Sequence, residues 1–372
     1  MNSAAMIEAI KLASTARGMT APNPIVGAVV VNEKGEIIGR GFHPKAGEPH
    51  AEVFAIRDAK KKQNDLRGCT LFVTLEPCNH FGRTPPCLDL VLSEGFKKVK
   101  VGSLDPNPLM QGKSIQKLKD AGVDVEIGVE GLNAEKLIRG YKSVMLNARP
   151  YVSLKCATSL DGKIATRTGE SQWITEAPAR QLAHIERAEH DAIMVGVGTV
   201  IADDPQLNVR LNSAHAGLKK IILDSRLRTP PTSKLFSTMG PVIIYCDSQY
   251  SGERKVNLEK TGAIVVPVDS GDQTFHKDSL DLNTVLKDLA KRGVQELMVE
   301  GGARVLGAFV REKLFDRLVY IIAPKILGSE SRDVFEGLNI DKLKESVCLE
   351  NISTRLVGTD IIIEGTRPCS PA

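Results

Sequence analysis

The sequence predicts an α/β protein with two domains, and three observations support this. Strand-like and helix-like segments alternate along almost the whole chain, which favours sheets covered by helices. The 372 residues are long for one hydrophobic core. Pro150, within NARPYVSLK, is expected to end one helix and precede a new strand. We therefore place the boundary near residue 148, with domains of 1–147 and 148–372.

Each predicted domain contains its own alternating series. In the first, the strand-like segments are IVGAVVV, EIIGRGF, TLFVTLE, KVKVGSL and VDVEIGV. Its helix-like segments are MNSAAMIEAIKLASTARG, HAEVFAIRDAKKK, PPCLDLVLSEG, GKSIQKLKDAG and LNAEKLIRGYKSVML. In the second, strands are predicted at YVSLKCAT, DAIMVGVG, KKIILDS, PVIIYC, AIVVPV, QELMVEG and RLVYIIAPKIL, helices at APARQLAHIERAEH and LNTVLKDLAKRG, and a final hairpin that turns at Gly358.

Composition limits the classes of function. Hydrophobic residues make up 42% of the chain and charged residues 25%, as in ordinary globular proteins. A net charge of +4 suits anionic small substrates but is too small to indicate nucleic acid. The N-terminal segment lacks the apolar core of a signal peptide, and no segment has the roughly 20 apolar residues of a membrane span. Together with an odd number of cysteines, seven, this predicts a reducing, cytoplasmic location.

One group of residues has the composition of a catalytic zinc site. His50, Cys78 and Cys87 supply one imidazole and two thiolates, leaving a fourth tetrahedral position open. Glu52 follows His50 by two residues, close enough to transfer protons to and from a zinc-bound water without ligating the metal. Zinc-dependent base deaminases carry H-x-E followed by P-C-x-x-C, and this chain has the same residue types with eight residues, not two, between Cys78 and Cys87. The alternative is a surface histidine and two buried free cysteines, but it does not explain a helix opening at HAE and a strand ending at TLEPC.

A second group indicates a phosphate-binding turn. In ELMVEGGARVLGAF a strand leads into Gly301 and Gly302, and a helix follows, whose first backbone N–H groups suit a pyrophosphate. The segment around Gly196 and Gly198 is a weaker candidate for a dinucleotide fingerprint, because Ile201 stands where a third glycine is required. The alternative for the segment with Gly301 and Gly302, and for SLDGKIA after the first strand of this half, is a tight turn without a ligand.

These motifs together resemble one family, the bifunctional riboflavin-biosynthesis deaminase/reductases. The first half carries PNPIVGAVVV, PHAEVFA, TLEPCNHFGRTPPC and DPNP, and the second carries SLDGKIAT, GESQWIT, GTVIADDPQLNVR, LDSRLRTP and VEGG. The resemblance covers nearly the whole chain, in order. It implies a cytidine-deaminase-like three-layer domain followed by a dihydrofolate-reductase-like α/β domain. It also implies zinc-dependent deamination of 2,5-diamino-6-ribosylamino-4(3H)-pyrimidinone 5′-phosphate, followed by NADPH-dependent reduction of the ribosyl group of the product to ribityl.

The resemblance also assigns roles to individual residues. In the deaminase, Asn23 and His43 would face the base and ribose, while His80 and Arg83 would bind the phosphate from a loop held at both ends by metal ligands. The residues that would line NADPH are Ala157, Trp173, Thr199, Asp203, Ser225, Gly302, Ala303, Arg304, Val305, Leu306, Gly307 and Ala308. Those that would line the reductase substrate are Ser171, Arg187, Leu207, Arg210 and Glu300. Lys155 is interpreted either as a group that polarises the opened ribose carbonyl or imine, or as half of a structural salt bridge.

The expected partners are a small phosphorylated pyrimidine and further copies of the chain in a homo-oligomer, with neither nucleic acid nor membrane. The main alternative function is a nucleic-acid base deaminase with an appended binding domain. That function requires a basic stripe with exposed aromatic residues, yet aromatic residues make up only 4% of the chain. A non-catalytic zinc-stabilised binding protein is the other alternative, and it leaves Glu52 beside an open coordination position unexplained.

Overall fold

The computed structural model describes residues 2–79, 86–211, 217–271 and 279–368. The chain folds as two compact units, Met1–Ala148 and Arg149–Ala372. Within the described ranges, no helix is both long enough and apolar enough to cross a membrane.

Unit 1 contains a five-stranded sheet and six helices among its described residues. The strands are β1 (Gly27–Val31), β2 (Ile37–Phe42), β3 (Thr70–Leu75), β4 (Lys98–Ser103) and β5 (Asp124–Ile127). The helices are α1 (Asn2–Ser14), α2 (Ala51–Lys60), α3 (Cys87–Ser93), α4 (Lys113–Asp120), α5 (Gly131–Leu137) and α6 (Arg139–Asn147). The strand order is β2-β1-β3-β4-β5, in which β1 is antiparallel to both β2 and β3, and β3, β4 and β5 are parallel.

Alternation along β1 produces the three layers of unit 1. Val30 points to one face of the sheet, into a buried cluster with Ala55 of α2, while Val29 points to the other, against Met6 of α1. Strand β2 lies so close to α2 that a Cβ on Gly41 would stand 2.3 Å from the carbonyl oxygen of Ala51. This close approach fixes the first turn of α2, where Glu52 lies.

One helix prediction in unit 1 was wrong. LNAEKLIRGYKSVML was expected to form a single helix, but it is divided into α5 and α6 at Ile138, whose φ of −104° and ψ of 13° are not helical. Leu137, Ile138 and Tyr141 are all buried in one cluster, and the break lets these three apolar side chains pack on the same side. The apolar spacing continues across Ile138, so the sequence pattern does not reveal the break.

Unit 2 contains a larger, mixed sheet. Its strands are β6 (Tyr151–Ser159), β7 (Lys163–Ala165), β8 (Ala192–Gly196), β9 (Lys219–Leu223), β10 (Val242–Asp247), β11 (Ile264–Val268), β12 (Glu296–Val299), β13 (Arg317–Ala323), β14 (Arg332–Asp333), β15 (Glu350–Val357) and β16 (Asp360–Thr366). Its helices are α7 (Ala177–Ala188), α8 (Val197–Asp203), α9 (Glu253–Glu259), α10 (Leu282–Lys291) and α11 (Ala303–Arg311), with short 3-10 turns at Lys234–Ser237 and Leu343–Glu345.

Nine of these strands form one sheet in the order β11-β10-β9-β8-β12-β6-β13-β16-β15. In this order each strand from β11 through to β13 is parallel to the next. Strand β16 is antiparallel to both β13 and β15, and β15 and β16 form the predicted hairpin around Gly358. Because β6, β8, β9, β12 and β13 are parallel, their carboxyl ends lie at one edge of the sheet.

Two further predictions in unit 2 need correction. The segment DAIMVGVG was predicted as one strand, but β8 stops at Gly196, which precedes α8. The N–H of Gly196 donates to the carbonyl of Gly301 at 2.9 Å, and this hydrogen bond joins the end of β8 to the residues that follow β12. Helix α9 was not predicted, and its polar sequence ERKVNLE buries only Leu258.

Candidate functional site

The three predicted metal ligands lie together in unit 1. His50 directly precedes α2, Cys78 follows β3 by three residues, and Cys87 is the first residue of α3. His50 Nδ1 lies 3.0 Å from Cys87 Sγ and 3.4 Å from Cys78 Sγ. All three donor atoms lie within 4.8 Å of one another. In a tetrahedral zinc site with ordinary bond lengths, ligand atoms are about 3.5 Å apart, so this donor set fits one zinc ion.

The electrostatics of the cluster favour a thiolate. The hydrogen bond with the Cys87 thiol lowers the pKa of Cys78 to about 4, and His50 and the backbone N–H of Cys87 act in the same direction. That N–H lies 3.2 Å from Cys78 Sγ. In turn, the hydrogen bond to Cys78 raises the pKa of His50. Thiolates are the form in which cysteine binds a metal.

Glu52 is buried beside these ligands, with 3% of its surface exposed. Burial raises the pKa of its carboxyl to about 7, and the negative charge of Cys78 adds to the effect. Among the described residues, Glu52 Oε2 has no hydrogen-bonding partner although it is inaccessible to solvent. A buried acceptor without a partner is unusual and indicates that a ligand or water belongs next to it.

His50, Cys78 and Glu52 line a cavity of about 320 Å³. Both predicted base-binding residues line it: Asn23 Nδ2 lies 3.0 Å from His43 Nε2, and His43 Nδ1 lies 3.0 Å from the carbonyl oxygen of Pro49. His80 and Arg83 lie outside the described residues.

The cavity wall also contains residues for which the sequence predicted no role. Glu76, 3% exposed, accepts hydrogen bonds from the backbone N–H groups of Asp105 (3.2 Å), Gly112 (2.9 Å) and Ser114 (3.0 Å). Asp105 Oδ1 accepts from the hydroxyl of Tyr141 at 3.2 Å. Asp105, the first residue of the DPNP segment, is therefore held through its backbone by Glu76 and through its side chain by Tyr141. The presence of glutamate in LEPC and aspartate in DPNP was visible in the sequence, but their contact was not.

In unit 2, the second group of predicted residues gathers at the carboxyl edge of the parallel strands. The N–H of Glu300, directly after β12, donates to Met194 of β8 at 3.0 Å. Gly302 precedes α11, and a Cβ there would stand 3.3 Å from Thr199 Oγ1 of α8. Two strand ends and the first turns of two helices thus lie side by side, as the phosphate-binding interpretation requires.

The predicted cofactor residues occupy different positions along this edge. Ala157 is on β6, Ser225 follows β9, and Asp203 ends α8, where its Oδ1 lies 3.4 Å from the hydroxyl of Ser171. Trp173 is 61% exposed. The residues Ala303, Arg304, Val305, Leu306, Gly307 and Ala308 belong to α11. Two of them face inward: Leu306 is buried, and a Cβ on Gly307 would stand 2.0 Å from the carbonyl oxygen of Glu336.

The predicted substrate residues include a charged group that is only slightly exposed. Arg187 on α7 makes a bidentate pair with Glu300, at 2.6 and 2.8 Å, and also donates to the carbonyl of Asn208 at 3.1 Å. Lys155 Nζ lies 4.0 Å from Glu300 Oε2. Burial opposes ionisation of Glu300, but the charges of Arg187 and Lys155 outweigh it and lower the pKa of Glu300 to about 2.

Arg210 and Leu207 complete this side. The backbone N–H of Arg210 lies 3.4 Å from Nδ1 of His184, and its guanidinium lies 3.3 Å from Gln206 Oε1. Leu207 is 3% exposed and has a φ of +48°, and its side chain packs into a core cluster of unit 2. Its side chain therefore holds the chain reversal between α8 and Arg210.

Comparison with known proteins matches both units. Residues 1–103 match the cytidine and deoxycytidylate deaminase zinc-binding region, and residues 150–363 match the RibD C-terminal domain. The chain is 43% identical to the riboflavin biosynthesis protein RibD of Aquifex aeolicus over 95% of each chain. A solved structure of Acinetobacter baumannii RibD covers 99% of each chain at 37% identity, with a TM-score of 0.86.

A Thermotoga maritima structure, described as a diaminohydroxyphosphoribosylaminopyrimidine deaminase/5-amino-6-(5-phosphoribosylamino)uracil reductase, also covers 99% of each chain, at 34% identity and a TM-score of 0.86. The family implied by the motifs is thus confirmed, as is the fold of both halves. The chain belongs to the RibD family of bifunctional riboflavin biosynthesis deaminase/reductases.

Proposed function

We propose that unit 1 hydrolytically deaminates 2,5-diamino-6-ribosylamino-4(3H)-pyrimidinone 5′-phosphate, and that unit 2 reduces the ribosyl group of 5-amino-6-(5-phosphoribosylamino)uracil to ribityl with NADPH. The activities in the description of the Thermotoga relative support these substrates. The observation that carries the proposal is the buried Oε2 of Glu52, which has no hydrogen-bonding partner among the described residues. Glu52 lies in the same cavity as His50 and Cys78, which form one cluster of possible metal ligands with Cys87.

In the deaminase, His50, Cys78 and Cys87 would hold zinc. When bound, zinc supplies the Lewis acidity that makes water a nucleophile near neutral pH. His50 directly precedes α2, Cys87 is the first residue of α3, and Cys78 lies three residues after β3. Each ligand is therefore on, or a few residues from, a helix or strand that positions it.

Glu52 would transfer the protons of the reaction. Hydrolysis consumes one water and releases one ammonia, so a proton must leave the attacking water and reach the departing amine. Burial raises the pKa of the Glu52 carboxyl, which suits a group that serves first as base and then as acid.

The substrate would be oriented by side chains on the cavity wall. Asn23 and His43 lie on this wall, and we assign them to the base and ribose. The assignment of His80 and Arg83 to the 5′-phosphate rests on the family resemblance and on the suitability of a guanidinium for a phosphate.

In the reductase, NADPH supplies the hydride when bound, and the residues at the carboxyl edge of the sheet would hold it. Gly302 and the start of α11 would face its phosphates, with Ala157, Thr199, Asp203, Ser225 and Trp173 around it. Ser171, Arg187, Leu207, Arg210 and Glu300 would surround the substrate. The 4.0 Å contact between Lys155 and Glu300 supports the salt-bridge interpretation of Lys155 and also brings its ammonium group next to the proposed substrate site.

A product analysis tests the proposal. The purified, zinc-loaded protein is incubated with the diaminopyrimidine phosphate, with and without NADPH, and the products are identified by mass spectrometry. We expect ammonia and the uracil derivative without NADPH, and the ribityl compound with it. Absence of ammonia release would refute the deaminase assignment. Absence of the ribityl product from the uracil derivative would refute the reductase assignment.

A further inference from the structure

Trp173 is the only tryptophan of the chain. It is not packed in a hydrophobic core but is held by polar contacts. Its indole is 61% exposed. The guanidinium carbon of Arg180 lies 4.6 Å from the ring centroid, within the range of a cation–π contact. Arg180 itself is fixed, because its Nη1 donates to the carbonyl of Thr175 at 2.6 Å.

The backbone of Trp173 is held as well. Lys325 Nζ donates to the carbonyl of Trp173 at 2.8 Å, and the carbonyl of Lys325 accepts from the N–H of Leu160 at 2.7 Å. Lys325 follows β13 by two residues and Leu160 follows β6 by one. Trp173 therefore lies at the same carboxyl edge as Glu300 and Gly302.

An exposed indole whose ring contacts one cation, and whose backbone carbonyl is held by another, requires a functional reason, since burial would give more stability. Such a ring offers a flat surface, and the positive charges of Arg180 and Lys325 favour an anionic ligand. A nicotinamide dinucleotide provides both features, with flat rings joined by a pyrophosphate.

We propose that Arg180 and Lys325 are positioning residues that hold the Trp173 indole as a stacking platform for a flat ring of the nicotinamide dinucleotide. This inference rests on the proposed use of NADPH by unit 2. Arg180 acts through the indole, because it covers part of the ring and limits its rotation. The side chain of Trp173 therefore loses less conformational entropy when the cofactor binds.

A double-mutant cycle tests the proposal in the full-length protein. NADPH dissociation constants are measured by calorimetry for wild type, Arg180→Leu, Trp173→Ala and the double variant. We expect Arg180→Leu to raise Kd by about 3- to 10-fold and Trp173→Ala to raise it by about 5- to 150-fold. Because Arg180 acts through Trp173, the double variant should match Trp173→Ala. Additive effects, or an unchanged Kd in Arg180→Leu, would overturn the proposal.

Further variants separate positioning from general structure. Arg180→Lys keeps the charge without the planar group and should give an intermediate Kd. Lys325→Met removes the donor to Trp173 and should also raise Kd. The matched control is Arg292→Leu, a partly exposed arginine paired with Asp288 on α10, which should leave Kd unchanged. Because Trp173 is the only tryptophan, its fluorescence should change in Arg180→Leu and not in Arg292→Leu; identical spectra would contradict the stacking.

Two fragments of the cofactor identify the ring. Reduced nicotinamide mononucleotide carries the nicotinamide end, and adenosine 2′,5′-bisphosphate carries the adenine end. The dissociation constant of one of these fragments should be higher for Arg180→Leu than for wild type. Unchanged dissociation constants for both fragments would refute the platform. If wild type does not bind NADPH, both the proposed cofactor and the platform are wrong. If wild type binds NADPH and every Arg180 and Lys325 variant binds it equally well, only the platform is wrong.

Discussion

The side-chain amide nitrogen of Asn23 lies 3.0 Å from Nε2 of His43 in the unit 1 cavity. An amide NH₂ can only donate, so Nε2 must accept and cannot carry the proton. The proton is therefore on Nδ1, which donates to the carbonyl of Pro49 at 3.0 Å. This pair of contacts fixes one tautomer of a neutral imidazole.

From this relationship we predict that His43 is neutral at pH 7 and protonated on Nδ1. Burial lowers the pKa of His43, which supports the neutral form. Long-range ¹H–¹⁵N NMR on the imidazole, assigned with His43→Gln, should show this tautomer, and Asn23→Ala should reduce its population. A signal typical of protonated Nε2 in wild type would contradict the predicted hydrogen bond.

Glu52→Gln should separate proton transfer from metal binding. Glutamine is nearly isosteric, so zinc content and fold should be retained, while ammonia release should fall by several orders of magnitude because glutamine cannot exchange a proton at neutral pH. Ammonia release and zinc content are measured on the same sample. A rate within tenfold of wild type would show that Glu52 is not the proton-transfer group.

Cys78→Ala and Cys87→Ala are the counterpart variants. A site with three protein ligands should not tolerate the loss of a thiolate, so both proteins should lose most of their zinc. Full zinc occupancy in both variants would mean that the ligands are wrongly assigned.

The sequence predicted the features that depend on local pattern. His50 and Glu52 belong to one helix start, and Cys78 follows a strand of clear β propensity, so the cluster could be proposed before the structure was known. Glu76 could not be interpreted in this way, since its partners are backbone N–H groups, which every residue other than proline has, some 30 to 40 positions further along the chain. The stacking of Arg180 on Trp173 likewise depends on the path of the chain between β7 and α7.

We predict that residues 1–147 and 148–372 fold and act separately. Each unit has its own sheet and buried clusters, as independently folding domains require. The first fragment should release ammonia without NADPH, and the second should reduce the deaminated intermediate without zinc. Circular dichroism monitors folding of each fragment, and failure of both to fold would refute independent domains.

The largely buried pair of Arg187 and Glu300 should make the stability of unit 2 depend on pH in acid. The pKa of Glu300 is lowered in the folded protein from an ordinary 4.5 to about 2. A carboxyl with a lowered pKa stabilises the folded state fully above its unfolded pKa, and this contribution is lost as the pH falls through the folded pKa. The relevant window therefore runs from about pH 4.5 to about pH 2.

Over this window we expect the free energy of unfolding of wild type to fall by about 3 kcal/mol on account of Glu300, whose side chain is only 10% exposed. Glu300→Gln should be less stable at pH 7, because Arg187 and Lys155 lose their counter-charge, and its unfolding free energy should vary less between pH 4.5 and pH 2. Urea unfolding at a series of pH values measures both quantities. The matched control is Asp204→Asn: Asp204 pairs with Lys234 at 3.3 Å on the surface of the same unit, where such pairs contribute little. An equal loss of pH dependence in Glu300→Gln and Asp204→Asn would show that the stabilisation does not come from the buried pair.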